Sequence, residues 1–312
     1  MDLGYDGKLF ILAFDHRGSF KKKMFGISGR AATAQEQARL RDAKLLVWEG
    51  FRAALAAGAP SAGAGVLVDE EMGAEVARSA KQAGVLLAMP VEKSGQDTFD
   101  FEFGEDFGAH IEAFDPDFAK VLVRWNPADD PAIKRLQAER LKRLGDWLHE
   151  RGRKYLFELL VPATPHQLAL AGGNAADYDA HIRPYLMLET ISEIQQAGIE
   201  PDVWKIEGID TGEDCTLISA LVRGGGRDRV KAVVLGRGAD DAKVEHWVRT
   251  GAAVPGYVGF AIGRTIWWDG VQGWKDGTLS RPQAAEAIAA AYRRFIDAYE
   301  GSGRRAPRAP GG

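Results

Sequence analysis

Eight short apolar runs recur from one end of the chain to the other, and segments with helical periodicity lie between them. Each run is rich in Val, Ile, Leu and Phe, which is typical of strands that are buried on both faces. Parallel strands need crossover connections, usually helices. The apolar runs are 9–16, 65–70, 85–91, 118–125, 155–161, 202–207, 230–235 and 257–262. The clearest helical segments are 34–57, 132–151, 185–197, 241–250 and 281–298.

Strand–helix alternation over this length predicts an α/β fold, a (β/α)8 TIM barrel that forms a single domain over residues 1–300. The main alternative is an open, doubly wound sheet with a Gly-rich phosphate turn after its first strand. Residues 14–18, Phe-Asp-His-Arg-Gly, lack that fingerprint. A long third connection is expected over 92–117. Residues 301–312 are mostly Gly, Pro and Arg, and they predict a disordered, solvated tail.

Composition narrows the class of protein. With 46% hydrophobic and 27% charged residues, the chain is typical of a globular enzyme. A net charge of -4 argues against nucleic acid as a partner. No apolar stretch approaches the roughly 20 residues of a membrane span, and the N-terminus lacks a signal-peptide pattern, so we expect no membrane association and a cytoplasmic location. The single cysteine, Cys215, excludes a disulfide framework and a cysteine-rich zinc site.

Ionisable residues inside the predicted strands are the main anomaly, because an unpaired buried charge costs several kcal/mol. One such residue alone is most simply a buried ion pair or a strand-end charge. A set that recurs near the carboxyl ends of many barrel strands instead predicts an active site, since barrel active sites are assembled there. The set comprises Asp15, Asp69, Glu92, Lys120, Arg124, Glu158, Lys205, Glu207 and Arg264.

Lys205 is the most informative member of this set. It lies in the middle of residues 202–207, Asp-Val-Trp-Lys-Ile-Glu, between apolar and aromatic neighbours. A buried amine close to a second cation loses its proton more readily, and the neutral amine is the form that attacks a ketone. Lys120 is the candidate second cation. Glu158 and Asp15 are candidates for moving protons and balancing the charge.

Two Gly-Arg pairs follow the last two strands and predict phosphate binding. Residues 235–240 contain Gly236, Arg237 and Gly238, and residues 261–265 contain Gly263 and Arg264. Glycine lets backbone N–H groups approach an anion, and the loops after strands seven and eight are the usual phosphate site of a TIM barrel. The alternative is turn glycines with solvated arginines.

The sequence gives little support for a metal or a cofactor. No two of the six histidines are spaced as a ligand pair, and no nucleotide or flavin motif is present. We therefore expect neither a metal nor a cofactor. A zinc-type aldolase site at Asp15, His16 and Glu158 is the alternative.

Five segments resemble the class I (Schiff-base) aldolases of the tagatose 1,6-bisphosphate aldolase group. The chain is more closely similar to the aldolase domain of bacterial myo-inositol catabolism. The resemblance spans nearly the whole chain in order. The segments are 12–17 (LAFDHR), 157–162 (FELLVP), 202–208 (DVWKIEG), 235–241 (LGRGADD) and 259–265 (GFAIGRT).

This resemblance implies that Lys205 forms the Schiff base, with Glu158 and Lys120 beside it. It implies that Asp15 contacts substrate hydroxyls and that Gly263 and Arg264 bind phosphate. Two further acidic residues, Asp69 and Glu92, match strand-end positions of the tagatose enzymes. Residues 124–126, Arg-Trp-Asn, depart from the tyrosines and the acid that those enzymes tend to have, which argues against their bisphosphate substrate.

The implied substrate is 2-deoxy-5-keto-D-gluconate 6-phosphate, cleaved to dihydroxyacetone phosphate and malonic semialdehyde. Its carboxylate predicts bidentate binding by Arg124 or Arg17. The alternatives are an aldolase for tagatose 1,6-bisphosphate or for a sulfonated or other keto-sugar phosphate, and a non-catalytic sugar-phosphate sensor. The pair Trp267-Trp268 and the aromatic residues of 292–299 are compatible with a homo-oligomer interface, but also with helices packed on a barrel.

Overall fold

Eight parallel strands form a closed barrel in the computed structural model, which describes residues 3–303. Each strand pairs with its neighbours in sequence, and the first strand pairs with the eighth, which closes the sheet. The predicted (β/α)8 barrel is therefore confirmed. The strands are β1 (Leu9–Ala13), β2 (Ala64–Leu67), β3 (Leu86–Pro90), β4 (Phe118–Arg124), β5 (Lys154–Leu160), β6 (Val203–Glu207), β7 (Lys231–Leu235) and β8 (Tyr257–Ile262).

Twelve α-helices occur within the described range, together with one 3-10 turn at Gly104–Asp106. They are α1 (Gly18–Phe25), α2 (Ala34–Ala56), α3 (Glu70–Gln82), α4 (Phe107–Phe114), α5 (Pro131–Glu150), α6 (Pro165–Leu170), α7 (Ala175–His181), α8 (Arg183–Gln196), α9 (Gly212–Arg223), α10 (Asp241–Ala252), α11 (Arg264–Lys275) and α12 (Arg281–Gly303). None of these helices combines the length and the apolarity needed to cross a membrane.

The five helices that periodicity predicts are α2, α5, α8, α10 and α12, and each begins and ends within a few residues of its expected bounds except at the end of α12. That helix includes residues 301–303, which were expected to belong to the tail. Residues 304–312, the rest of the predicted tail, lie outside the described residues. The remaining seven helices in the described range have at most 13 residues, and short helices give a weaker periodic signal in sequence.

Two apolar layers pack against the strands, one outside the barrel and one inside it. The larger lies between the strands and the surrounding helices, where α2 and α12 pack against each other and α11 packs on α12. The smaller fills the interior of the barrel and includes Phe118, Leu156 and Val203 on β4, β5 and β6. Side chains alternate along a strand, so the residue two positions further on shares the same interior face. On β4, β5 and β6 these residues are Lys120, Glu158 and Lys205, respectively. The barrel interior therefore changes from apolar to ionic over two residues of each strand.

Side-chain caps fix several of the helices that follow the barrel strands. Asp69 accepts a hydrogen bond from the backbone N–H of Met72 and begins α3. In the same way Asp240 caps α10 by accepting from Lys243. A capping residue satisfies backbone donors that have no partner within the helix. These two caps determine where the loops after β2 and β7 end.

Candidate active site

A cavity of about 310 Å³ opens at the carboxyl ends of the strands. Most of the residues that the sequence predicts for the site line it, although they come from distant segments. Those that line it are Asp15, Arg17, Glu92, Lys120, Arg124, Glu158, Lys205, Gly236, Arg237, Gly238, Gly263 and Arg264. The cavity therefore brings together all the predicted residues except Asp69 and Glu207, and Glu207 is buried where its carboxylate accepts from the Val161 N–H and contacts Arg237.

Lys120 is the centre of a buried ion network. Its Nζ lies 2.8 Å from Asp15 Oδ2, 2.8 Å from Glu92 Oε1 and 2.9 Å from Glu158 Oε2. The Lys120 side chain is 2% exposed, so these carboxylates take the place of water around the ammonium group. A buried charge is tolerated when it is paired and hydrogen-bonded in this way.

Lys205 joins the same network through Glu158. The two residues are register partners on β5 and β6, and Lys205 Nζ lies 2.9 Å from Glu158 Oε2. That oxygen is the one that also contacts Lys120. Lys205 is buried at the base of the cavity with its Nζ directed toward a carboxylate. The side-chain nitrogen of Lys205, the Glu158 carboxylate and the Lys120 ammonium group therefore lie in a row.

Burial and charge act in opposite directions on the pKa values of this network. Burial by itself lowers the pKa of Lys120, but Asp15, Glu158 and Glu92 raise it well above its ordinary value. Burial raises the pKa of Asp15 and Glu158, yet Lys120 and Lys205 together lower the pKa of each below its ordinary value. At Glu92 burial prevails and the pKa is raised. Lys120 thus remains charged at neutral pH and keeps Asp15 and Glu158 ionised.

The two arginines predicted to bind a carboxylate have different surroundings. Arg17 Nη1 lies 2.9 Å from Glu102 Oε2, and its Nη2 donates to the backbone carbonyl of Glu92 at 2.6 Å. Arg124 uses Nη1 to bind the carbonyl of Gln96 at 2.5 Å, and no other hydrogen bond of its guanidinium group is found within residues 3–303. Arg124 therefore keeps donors for a ligand, whereas Arg17 fixes the loop after β3.

The loops after β7 and β8 approach each other closely. An added Cβ at Gly263 would lie 2.5 Å from the backbone oxygen of Ala13, and one at Gly238, which has a φ of +75°, would lie 2.3 Å from Arg264 Nη2. Arg237 also has a positive φ, and its Nε lies 3.0 Å from Glu207 Oε1. Within residues 3–303 helix α11 begins beside Gly263 without a side-chain cap; the N–H of Ile266 binds the Gly263 carbonyl, and those of Arg264 and Thr265 keep their hydrogen-bonding capacity. The glycines allow contacts that a side chain would prevent.

The position of Asp69 corrects one sequence prediction. Asp69 is fully buried and does not line the cavity. Its Oδ1 caps α3, and its Oδ2 lies 2.7 Å from Nζ of Lys44 on α2. A strand-end carboxylate can cap the next helix as readily as it can face a ligand, and in this loop the cap prevails.

His16 lines the cavity, although sequence reasoning placed it only in the alternative metal site. Its ring packs edge-on against Trp267, and its Nδ1 is buried and has no hydrogen-bond partner among residues 3–303. Burial, aided by Lys44 and Arg264, lowers the pKa of His16 to about 4 even though Asp15 raises it. Its place directly after Asp15 was the available signal. Other lining residues that the sequence did not indicate include Ser19, Lys93, Ser94 and Gln96.

No group of three or more His, Cys, Asp or Glu side chains in the described part of the chain is arranged to hold a metal ion. Two members of the alternative metal set, Asp15 and Glu158, both contact Lys120. The donor set at the base of the cavity therefore consists of ammonium–carboxylate pairs.

A protein-family model described as "Uncharacterized protein conserved in bacteria (DUF2090)" matches residues 5–303. The chain belongs to the DUF2090 family. None of the curated proteins matches this sequence. The DUF2090 barrel is similar to fructose-bisphosphate aldolase from Plasmodium falciparum, which was solved with TRAP and a small-molecule inhibitor. The TM-score is 0.66 and the identity 14%, over 95% of this chain and 92% of that chain.

A second similar structure is the protein Cgl0159 from Corynebacterium glutamicum. It gives a TM-score of 0.60 and 18% identity, over 96% of this chain and 88% of that chain. At these identities both likenesses concern the fold. The assignment of a reaction to this DUF2090 chain therefore depends on the residues of its cavity.

Proposed function

We propose that this chain is a class I, metal-independent aldolase that forms a Schiff base through Lys205. The observation that carries the proposal is the row of buried groups at the base of the cavity, where Glu158 Oε2 lies 2.9 Å from both Lys205 Nζ and Lys120 Nζ. An enzyme that attacks a ketone with an amine needs that amine beside groups that accept and return protons. The sequence resemblance and the aldolase-like fold support the same chemistry.

The proposed substrate is 2-deoxy-5-keto-D-gluconate 6-phosphate. The Lys205 amine attacks the C5 ketone, and loss of water gives a protonated imine. The C3 hydroxyl proton passes to the carboxylates around Lys120, the C3–C4 bond breaks, and its electron pair moves to C4 as an enamine. Malonic semialdehyde leaves, C4 takes up a proton, and hydrolysis releases dihydroxyacetone phosphate and free Lys205.

Charge at opposite sides of the cavity supports this substrate. Arg264 and the glycine backbone of the last two loops suit the phosphate, because backbone N–H groups at a helix start and a guanidinium group both bind anions, whereas Arg237 is already paired with Glu207 and Asp179 and contributes charge nearby. Arg124 on β4 lies across the barrel and suits the carboxylate. Lys205 on β6 lies between these strands. A keto-sugar with an anion at each end would then place its ketone near the amine.

Reductive trapping tests the proposal. The protein is incubated with dihydroxyacetone phosphate and then borohydride, and its peptides are analysed by mass spectrometry. We expect a reduced adduct on the peptide that contains Lys205 and none in Lys205→Ala. Lys231→Ala, on the neighbouring strand and outside the cavity, is the matched control and should keep the adduct.

A panel of substrates then tests which aldehyde product the enzyme releases. We expect cleavage of the carboxylated substrate, insensitive to chelators, to exceed cleavage of tagatose 1,6-bisphosphate and of sulfonated keto-sugar phosphates. An absent adduct together with chelator-sensitive turnover would overturn the Schiff-base mechanism. An absent adduct and no turnover of any panel member would instead favour a sugar-phosphate sensor.

A further inference from the structure

Lys44 is a buried cation that the proposed reaction does not use. It lies on α2, outside the cavity, and it is 1% exposed. The apolar stripe of that helix includes Leu40, Val47 and Phe51, all buried, and Lys44 interrupts the stripe at helical spacing. A lysine is costly at such a place, so its contacts need a reason beyond packing.

Two donors of the Lys44 ammonium group hold the loop after β1, and the third binds Asp69, the cap of α3. Its Nζ donates to the backbone carbonyl of Phe14, to the carbonyl of His16 at 3.0 Å and to Asp69 Oδ2 at 2.7 Å. The two carbonyls flank Asp15 in sequence. Three donors and three acceptors leave the ammonium group fully satisfied.

The residues between these two carbonyls face the site. Asp15 lies 2.8 Å from Lys120 Nζ, and His16 lines the cavity. Asp69 holds Lys44 from the far side and is itself fixed as the cap of α3. Hydrogen bonds therefore connect α3, Asp69, Lys44 and the loop after β1 without a gap, and all are buried except the part-buried bond to the His16 carbonyl.

We propose that Lys44, held by Asp69, is a positioning residue that fixes Asp15 and His16 for the reaction. This inference rests on the proposed function, because it concerns the geometry of the same site. Loss of Lys44 removes the donor to the Phe14 carbonyl, the His16 carbonyl and Asp69 Oδ2, so the loop must shift to find water or other partners. A displacement of about 1 Å at a catalytic group lowers turnover by as much as 10²-fold.

The test uses Lys44→Met, which keeps the length and the apolar stem, and Asp69→Asn, which keeps an oxygen for the α3 cap. Lys142→Met is the matched control, because Lys142 forms an exposed helix ion pair with Asp146. All variants are measured at a temperature at which each is fully folded by circular dichroism. We expect Lys44→Met to lower kcat by 10- to 100-fold with KM within about threefold of wild type, and Asp69→Asn to lower kcat less.

Two further measurements separate this proposal from the proposed function. Hydrogen exchange of the peptide covering residues 12–20 is followed by mass spectrometry, and in Lys44→Met we expect it to be faster than in wild type and in Lys142→Met. This result does not require aldolase activity, so it tests the anchor even if wild type forms no Lys205 adduct. Wild-type exchange in this peptide, or wild-type kcat in folded Lys44→Met, would overturn the positioning role.

Discussion

Glu158 and Lys205 are directly paired on adjacent strands, and Oε2 of Glu158 lies 2.9 Å from Nζ of Lys205. The same oxygen lies 2.9 Å from Nζ of Lys120. One carboxylate therefore separates two buried ammonium groups, which would otherwise repel each other at short range. Asp15 and Glu92 also contact Lys120, but within residues 3–303 Glu158 is the one carboxylate paired with Lys205, so the proposed proton transfer to and from the amine depends on it.

Glu158→Gln tests this dependence. The amide has nearly the same shape but no charge, so two buried cations lose a shared partner. Because breaking a buried ion pair costs about 3–5 kcal/mol, we expect a decrease of that order in the free energy of unfolding, measured by urea denaturation. Trapping of the Lys205 adduct should slow by at least about 10²-fold, since general acid–base catalysis contributes about 10²–10⁴-fold.

The exposed pair of Glu245 and Arg249 provides the control for this experiment. Glu245→Gln should change the free energy of unfolding by no more than about 0.5 kcal/mol, because exposed helix pairs contribute little. It should leave the trapping rate unchanged. If Glu158→Gln matched this control in both measurements, the assigned role of Glu158 would be wrong.

Sequence periodicity was enough for the barrel, because strands buried on both faces and their long helices leave patterns in composition. Charged residues within the apolar runs also indicated which strand ends form the cavity. A lysine at position 205, in a strand predicted to be buried on both faces, cannot be explained by exposure to solvent. The use of each charge was not visible in the sequence. Asp69 and Asp15 both end strands, yet one caps a helix and the other contacts Lys120, and only tertiary contacts distinguish them.

The contacts of Lys44 could not be predicted from the sequence either. Its place within the apolar stripe of α2 was a signal in the sequence, but two of its three acceptors are backbone carbonyls about thirty residues earlier. Backbone acceptors have no residue type, so no sequence pattern identifies them. Loop residues such as Ser94 and Gln96 were missed because polar residues in loops need no special explanation.

The lowered pKa of His16 predicts a pH-dependent stability. Above about pH 6.5 neither state carries a proton on this ring, so His16 contributes no slope. As the pH falls from 6.5 toward the folded pKa of about 4, the unfolded chain binds a proton that the folded chain does not, and the free energy of unfolding decreases. The full decrease from this one group is at most about 3 kcal/mol.

His16→Asn isolates that contribution. We expect the difference in unfolding free energy between wild type and variant to shift in favour of the variant as the pH falls from 7 to 4.5, measured by urea denaturation at each pH. His181→Asn, at an exposed helix end, should reproduce the wild-type profile. If the unfolding free energies of wild type and His16→Asn changed with pH in parallel, the pKa of His16 would be the same in the folded and unfolded states, and the prediction would be wrong.

The different surroundings of Arg124 and Arg17 predict different phenotypes. Arg124→Gln should lower kcat/KM for a substrate with a carboxylate at C1 by about 10- to 100-fold, because hydrogen bonds to a charged group contribute about 1.5–3 kcal/mol. The analogue with a neutral C1 amide should be affected little. Trapping with dihydroxyacetone phosphate, which has no such carboxylate, should continue at the wild-type rate.

Arg17→Gln is the matched variant, because Arg17 is held by Glu102 and the Glu92 carbonyl. We expect it to destabilise the protein and to lower kcat/KM for the acid and the amide by the same factor. Discrimination between acid and amide is the decisive ratio. If that ratio were unchanged in Arg124→Gln, or fell only in Arg17→Gln, the assignment of the carboxylate to Arg124 would fail.

The close approach of Gly263 to β1 predicts a local effect on phosphate binding. In Gly263→Ala the added Cβ would lie 2.5 Å from the Ala13 oxygen and 2.9 Å from Cε1 of His16, so the start of α11 must move. Arg264 is the first residue of that helix and would move with it. We expect a KM for phosphorylated substrate at least tenfold higher and a lower melting temperature, because overpacking costs about 1–3 kcal/mol.

Gly212→Ala, at the first position of α9 with no atom within 4 Å of the added Cβ, should leave KM unchanged and slightly raise the melting temperature. Equal KM values in the two variants would mean that the contact between the β8 loop and β1 does not shape the anion site.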